Sequence, residues 1–414
     1  MTSRAGTLLR EPAEPRQVTF LELFLDLVFV SALFQLSHEL LAHLRWSGAF
    51  QTAVLLLAVW WVWNQTSRIG DRYDLRRPAI QLLVIGSMFG ALVLAAVVPE
   101  AFGTRGLVFA GTYVAVQVGR GLFLVAVTRG GKRRPEAREL FWSVVSALPW
   151  LAGAVAQGWA RAVLWALAAA VEYISPGFGW PAPGLGRARP EEFAITGEFV
   201  AERMRQLFIV ALGEPILVTV LAVTSSSGFG AGRDAAVVVA FATTVLLWRI
   251  YIYRAGQVLG AAVAAASDPL RFTIRAALYA QPVMVAGLVA ISAGDELVIT
   301  HPAGRTQPAW IAVILGGPAL FLAGRSMFEY AVFSRVSLDR VIGVLVLAAV
   351  SPAMIFAPPL LAAVTAAVVL AGVAIADTAR ARRHPDEPPS PRLRSPVAGV
   401  CCPPGGNGPV SPCR

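Results

Sequence analysis

The hydrophobic positions of this 414-residue chain fall in long continuous runs, with polar residues concentrated in short segments between them. Several runs reach the roughly 20 residues that a helix needs to cross a hydrocarbon core about 30 Å thick. The strands of a membrane barrel would instead alternate at every second residue. The pattern therefore predicts an all-α, polytopic transmembrane helical bundle of about 12 helices. The predicted spans are 20–40, 48–67, 78–98, 106–127, 140–157, 159–174, 203–223, 235–253, 272–293, 308–329, 338–355 and 358–376.

The composition supports a membrane protein. Hydrophobic residues make up 56% of the chain and charged residues 14%, and the mean hydropathy is +0.64. Soluble domains are about 25% charged. The lipid bilayer is therefore an expected partner. The net charge of +10 is also typical of nucleic-acid-binding proteins, but the arginines are spread over short connections, so we expect no nucleic-acid partner.

The basic residues alternate between the connections. The N-terminal segment and every second connection contain two to five of them, whereas each intervening connection contains at most one. Because cytoplasmic loops have an excess of lysine and arginine, we expect a multi-pass protein of the bacterial cell membrane with both termini in the cytoplasm. The predicted units are an N-terminal cytoplasmic segment 1–19, a first six-helix half 20–174, a cytoplasmic linker 175–202, a second half 203–380 and a disordered cytoplasmic tail 381–414.

Three weak motifs recur in the same order in the two halves. The sequence GRxxF occurs at Arg120 and again at Arg325, "ELFL" at Glu22 is followed in the second half by "QLFI" at Gln206, and "DLRR" at 74–77 by "DPLRF" at 268–272. Transporter folds often contain such repeats. We therefore predict a six-plus-six parallel internal repeat.

Charged residues inside apolar spans are the candidate functional groups, because burying them is costly and they commonly mark ion or substrate pathways. Those near predicted cytoplasmic ends, including the 202–205 cluster, are also explained by side chains that reach the interface. The candidate substrate, ion or charge-pair residues are Glu22, Asp26, Arg120, Glu202, Arg203, Glu214 and Arg325. From helical rise, we expect Asp26 to pair with Arg120, and Glu214 more loosely with Arg325.

The sequence indicates no catalytic residues, no metal site and no cofactor. "HELLAH" at 38–43 resembles a zinc-protease motif, but its histidines are five residues apart and point about 140° away from each other on a helix. The Gly-rich stretches at 177–180 and 228–233 lack the strand and helix of a nucleotide-binding fingerprint. We therefore expect a protein that is not an enzyme.

Two segments carry a family resemblance. "ELFLDLVFV" at 22–30 and "ERMRQLFIVALGE" at 202–214 resemble the ELFxDLVFV and ERxxxFxIxxLGE segments of the bacterial low temperature requirement A (LtrA) family. The resemblance implies a multi-pass membrane protein and leaves its activity open. The histidine that commonly lies three residues before the family's second segment is replaced by Phe199 here.

Two functions fit these observations. A secondary transporter or ion-coupled permease for an unknown small solute or ion would use the buried acids and arginines as binding groups. A structural or regulatory membrane protein, connected with growth in the cold, would use the same charges only to hold helices together. A cavity that reaches the charges would favour transport.

The topology is testable with single cysteines in a variant that lacks the three natural ones. Positions 75 and 132 should resist an impermeant thiol reagent added outside the cell, because they lie in arginine-rich connections. Positions 45, 104 and 305 should react. Labelling from outside at position 75 or 132 would show that the predicted orientation is wrong.

Overall fold

A computed structural model describes residues 19–128, 133–188, 197–224, 230–252, 259–263 and 269–383. Most of the predicted N-terminal segment and of the predicted tail lie outside these ranges. The described residues form helices and contain no strand. The first group of helices is α1 Phe20–Ala42, α2 Trp46–Arg72, α3 Pro78–Val97, α4 Gly106–Val127, α5 Arg133–Val155 and α6 Gly158–Ile174.

The second group contains interrupted helices. Its members are α7a Gly197–Ala211, α7b Gly213–Thr224, α8 Ala231–Ile252, α9 with its parts Pro269–Thr273, Ile274–Ala280 and Gln281–Thr300, α10a Pro308–Ile314, α10b Gly316–Phe333, α11 Leu338–Met354 and α12 Pro359–Arg383. A short helical stretch lies at 259–263. We call the end of the bundle at which α1 begins and α2 ends the arginine-rich face, and the other end the opposite face.

Nine helices in the described part of the chain are long and apolar enough to cross a membrane. The helices α5, α6 and α11 are outside this set. With 17 residues each, α6 and α11 reach only about 25 Å, and α5 begins with a charged turn. Large apolar side chains such as Leu82, Phe89 and Val238 are exposed on the bundle's exterior. This surface fits a lipid environment, and the all-α membrane bundle predicted from the sequence is confirmed.

Proline explains the three interruptions in the second group. A proline cannot donate a backbone hydrogen bond and its ring collides with the carbonyl four residues earlier. Pro215 follows Ala211, the last residue of α7a, by four positions, and Pro318 bears the same relation to the end of α10a. Pro282 likewise follows Leu278, inside the π-helical segment Ile274–Ala280. The interruptions are therefore fixed by the local sequence.

The two groups pack in a similar order. In the first, α1 contacts α2 and α3, α3 contacts α4, and α6 contacts α5 and α2. In the second, α7b contacts α8 and α9, α9 contacts α10b, and α12 contacts α11 and α8. The internal repeat stays a prediction, which this order supports.

Glycines allow α9 and α10b to approach closely. A Cβ placed on Gly287 of α9 would lie 2.6 Å from the Phe321 backbone nitrogen and 2.9 Å from the Gly317 carbonyl oxygen. Small residues at such crossings let helix backbones pack in membranes, where hydrophobic burial cannot drive helix association.

We expect Gly287→Ala to destabilise the protein by about 1–3 kcal/mol, because the added methyl group meets backbone atoms that cannot move independently. Gly86→Ala is the matched control. Gly86 is an exposed position of α3 with nothing within 4 Å of the added Cβ, so the change should be neutral or stabilising by about 0.5–1 kcal/mol. Thermal unfolding of the purified protein measures both. Equal effects would contradict the close crossing.

Candidate functional site

A buried ion pair between Asp26 of α1 and Arg203 of α7a forms the centre of the site. Asp26 is fully buried and Arg203 is 3% exposed. The guanidinium is bidentate: Nη1 lies 3.0 Å from Oδ2 and Nη2 lies 2.8 Å from Oδ1. Paired planar groups of this kind form strong, charge-assisted hydrogen bonds.

The helix α2 supports both partners. Trp63 Nε1 donates to Asp26 Oδ1 at 2.8 Å, and Arg203 Nε donates to Ser67 Oγ at 3.1 Å. The Arg203 guanidinium carbon also lies 5.7 Å from the centroid of the Trp63 ring, within the range of a cation–π interaction. Three helices therefore meet at one ion pair.

Helical rise explains why these residues meet. Asp26 and Arg203 each lie six residues after the first residue of their helix, and Trp63 lies nine residues before the end of α2. At 1.5 Å per residue, all three are about 9–14 Å from the arginine-rich face.

Glu22, in the first turn of α1, is a second acid beside the ion pair. Its Oε2 accepts hydrogen bonds from Thr19 N at 2.8 Å and Thr19 Oγ1 at 2.9 Å, which completes a capping box. Its Oε1 lies 4.0 Å from Arg203 Nε and has no hydrogen-bond partner among the described residues. Glu22 thus starts the helix and adds negative charge next to Arg203.

The predicted pairing of Asp26 with Arg120 is wrong. Arg120 is buried and lies within electrostatic range of Glu139 on α5, and its Nη1 has no hydrogen-bond partner in the described ranges. Glu139 bonds Arg68 at 2.8 Å. By helical rise the two residues lie at similar distances from the arginine-rich face, but Arg120 faces α5 whereas Asp26 faces α2 and α7a.

The looser pairing of Glu214 with Arg325 is also wrong. Glu214 is hydrogen-bonded to Ser37 at 2.6 Å and to Ser292, whereas Arg325 Nε donates to the Ile250 carbonyl at 3.1 Å. The cause is depth. Glu214 lies on α7b toward the opposite face, and Arg325 lies in the half of α10b nearer the arginine-rich face.

Glu202 lies outside the buried cluster. Its carboxylate accepts from Arg205 at 2.9 Å, and both side chains are about 40% exposed. This i, i+3 pair is a solvated surface contact, as the interfacial explanation predicts.

Other buried charges were not among the candidate residues, although Glu329 was noted as a charge near a predicted cytoplasmic end. On α6, Glu172 accepts from Tyr113 at 2.6 Å and Ser146 at 2.8 Å. On α11, Arg340 bonds Glu329 and also Asp377, the latter at 2.8 Å. Glu172 could have been found from the sequence, since it is a carboxylate inside a predicted span.

Tyr73, in the loop after α2, donates to Glu136 at 2.9 Å, and burial together with that carboxylate raises the pKa of Tyr73.

A cleft on the arginine-rich face reaches Arg203, one partner of the ion pair. The cleft and the open solvent at its mouth together occupy about 850 Å³. Arg203, Trp63 and Ser67 line it together with Phe199, the residue at the family's histidine position. Ile274, Ala277 and Leu278 of the π-helical segment form another wall. Within the described ranges, no group of three or more His, Cys, Asp or Glu side chains is arranged to hold a metal ion.

The two partners of the ion pair lie in the two segments that carry the family resemblance. The profile described as "Bacterial low temperature requirement A protein (LtrA)" matches residues 17–375. The chain belongs to the LtrA family. It is also 34% identical, over 334 residues, to an uncharacterized protein, RA0937, of Rhizobium meliloti strain 1021, a match covering 80% of this chain and 81% of that protein. No solved structure matches it. In this LtrA protein, the two motif segments supply Asp26 and Arg203, the partners of the ion pair.

Arg203→Gln should destabilise the protein by about 3–5 kcal/mol, because it strands the buried Asp26 carboxylate. Adding Asp26→Asn should restore much of that loss. Arg205→Gln, two residues away at an exposed pair, should change stability by less than about 1 kcal/mol. Thermal unfolding in detergent measures these three variants and the Asp26→Asn single variant, which completes the double-mutant cycle. A double variant as unstable as the sum of its parts would contradict the pairing.

Proposed function

We propose that this LtrA protein is a secondary transporter or ion-coupled permease, and that a small solute with an anionic group binds in the cleft against Arg203. One observation carries the proposal: Arg203 lines an open cleft while it pairs with the fully buried Asp26. A charge pair that served only to join helices would not need to border solvent-accessible space.

The walls of the cleft suggest the class of solute. Trp61, Trp63, Trp180 and Phe199 provide aromatic surfaces, and Arg203 provides a planar, bidentate group suited to a carboxylate or phosphate. Pockets of this kind, mostly apolar with a few placed polar groups, are typical of small-molecule sites. An organic anion with an apolar part fits this chemistry. Its binding to Arg203 would compete with Asp26. The proposal includes transfer of the solute and no chemical conversion.

The interrupted helices supply elements that can move. The π-helical segment Ile274–Ala280 lines the cleft, and α7 is broken at Leu212, between Arg203 and Glu214. Discontinuous helices form the binding sites of many transporters, and π-helical segments are frequent at functional sites. We further propose that the arginine-rich face lies in the cytoplasm.

The alternative is a structural or regulatory role. It is favoured by the completeness of the hydrogen bonding around Arg203, whose three nitrogen atoms all have partners in Asp26 and Ser67. Under this alternative, no solute should compete for Arg203.

Cysteine labelling separates the two functions. In a variant without Cys401, Cys402 and Cys413, Asn64→Cys places a thiol on the cleft wall, and Thr52→Cys places one at a buried position of the same helix outside the cleft. We expect a water-soluble reagent to label only position 64, and solutes that bind to slow that labelling.

A solute that protects position 64 should then enter proteoliposomes containing the protein. Arg203→Lys retains the charge but loses the bidentate geometry, so it should reduce this uptake, whereas Arg205→Lys should not. Labelling at position 64 with neither protection nor uptake for a broad panel of organic anions would favour the structural alternative.

A further inference from the structure

A second polar site lies toward the opposite face, away from the cleft. Glu214 of α7b is fully buried between Ser37 of α1 and Ser292 of α9. Ser37 Oγ lies 2.6 Å from Glu214 Oε1, and Ser292 donates to Oε2.

Asp295 adds a second buried acid to this site. It lies three residues after Ser292, so the two side chains project from the same face of α9. Asp295 is 8% exposed, and its Oδ2 is buried without a hydrogen-bond partner among the described residues. Its charge acts electrostatically on Glu214. Two buried acids therefore lie in the same site.

No basic side chain in the described part of the chain forms an ion pair with either acid. On the halves of the neighbouring helices that lie nearer the opposite face, the titratable and charged groups are His38, Glu39, Arg233, Asp234, Asp295 and Glu296. Glu39 bonds His43 at 3.0 Å, and Arg233 Nε donates to the Ile299 carbonyl at 3.3 Å. His38 Nε2 lies 3.8 Å from Glu296. Two buried carboxylates without a cation would be strongly unfavourable, so the site must bind positive charge.

The hydrogen count at Ser37 indicates which cation. Ser37 Oγ lies 2.6 Å from Glu214 Oε1 and 2.9 Å from the Phe34 carbonyl oxygen. A serine hydroxyl has one hydrogen to donate. If Ser37 donates to both acceptors, it must share this hydrogen between them. If Glu214 instead bears a proton on Oε1 and donates it to Ser37, which then donates to Phe34, each contact is a full hydrogen bond.

We propose that Glu214 is a proton-binding site, with Asp295 as the neighbouring acceptor. The proton enters from water at the opposite face through His38 and Glu296. These two side chains are 38% and 26% exposed, and they lie within five residues of the ends of α1 and α9. The proton returns to water by the same groups, so no other reactant is needed. A role as the coupling site of transport rests on the proposed function, whereas proton binding does not.

Infrared difference spectroscopy between low and high pH tests the proposal on the purified protein in lipid, without any solute. We expect the wild type to show a protonated carboxylic acid band that disappears as pH rises. Glu214→Gln should reduce this band by the contribution of one carboxylic acid. Glu100→Gln is the control, because Glu100 is exposed at the same face and bonds Arg105 at 3.2 Å; this change should leave the band unaltered.

Ser37→Ala keeps the acid and removes its acceptor, so the band should remain and shift in frequency. This variant, together with Asp295→Asn, keeps the proposal testable if Glu214→Gln does not fold. A band unchanged in all the variants of the site would overturn the proposal. So would a titration that moves with the sodium concentration, because that result would indicate a metal cation in place of the proton. A failure to find solute uptake in proteoliposomes would not change the infrared result, so the two proposals can fail separately.

Discussion

Burying one charge in a membrane-embedded bundle costs several kcal/mol, so Asp26 and Arg203 can be buried only together. Their bidentate geometry restricts the orientation of the two helices as well as the distance between them. It fixes the rotation of α1 and α7a about their axes, and the hydrogen bonds from Trp63 and to Ser67 add α2 to the same arrangement. The cleft lies between α2, α7a and the π-helical segment of α9. The ion pair thus determines the position of the site as well as part of the packing.

The sequence predicted the all-α membrane class and the bounds of several helices. For α4, the predicted and observed bounds agree at 106–127, and for α1 and α3 they differ by at most two residues. Larger differences occur where helices continue beyond the apolar run. The helix α5 begins at Arg133, seven residues before its predicted span, because charged turns extend past the hydrocarbon region without breaking the helix. Hydropathy indicates where the chain leaves the hydrocarbon region, whereas the helix itself can continue beyond that point.

The partners of the charges could not be predicted in the same way. Helical rise gives the depth of Asp26, Arg120 and Arg203, and all three are compatible with pairing at that depth. The choice depends on which faces of separate helices meet, and one sequence contains no signal for it. The serine residues around Glu214 were missed for a related reason. A hydroxyl inside a span is common and inexpensive, because it can bond the carbonyl one turn earlier, so Ser37 and Ser292 attract notice only once Glu214 lies between them.

The two polar sites are connected through the same pair of helices. On α1, Ser37 follows Asp26 by eleven residues, and Glu214 follows Arg203 by the same number. Eleven residues are close to three helical turns, so Asp26 and Ser37 project from one face of α1 at levels about 16 Å apart. The helix α1 is continuous between its two positions, whereas α7 is interrupted at Leu212. A rigid helix therefore holds one partner of each site, and an interrupted helix holds the other. Any relative movement of Arg203 and Glu214 would occur at the break that Pro215 imposes, which makes this residue the structural link between the cleft and the proton site.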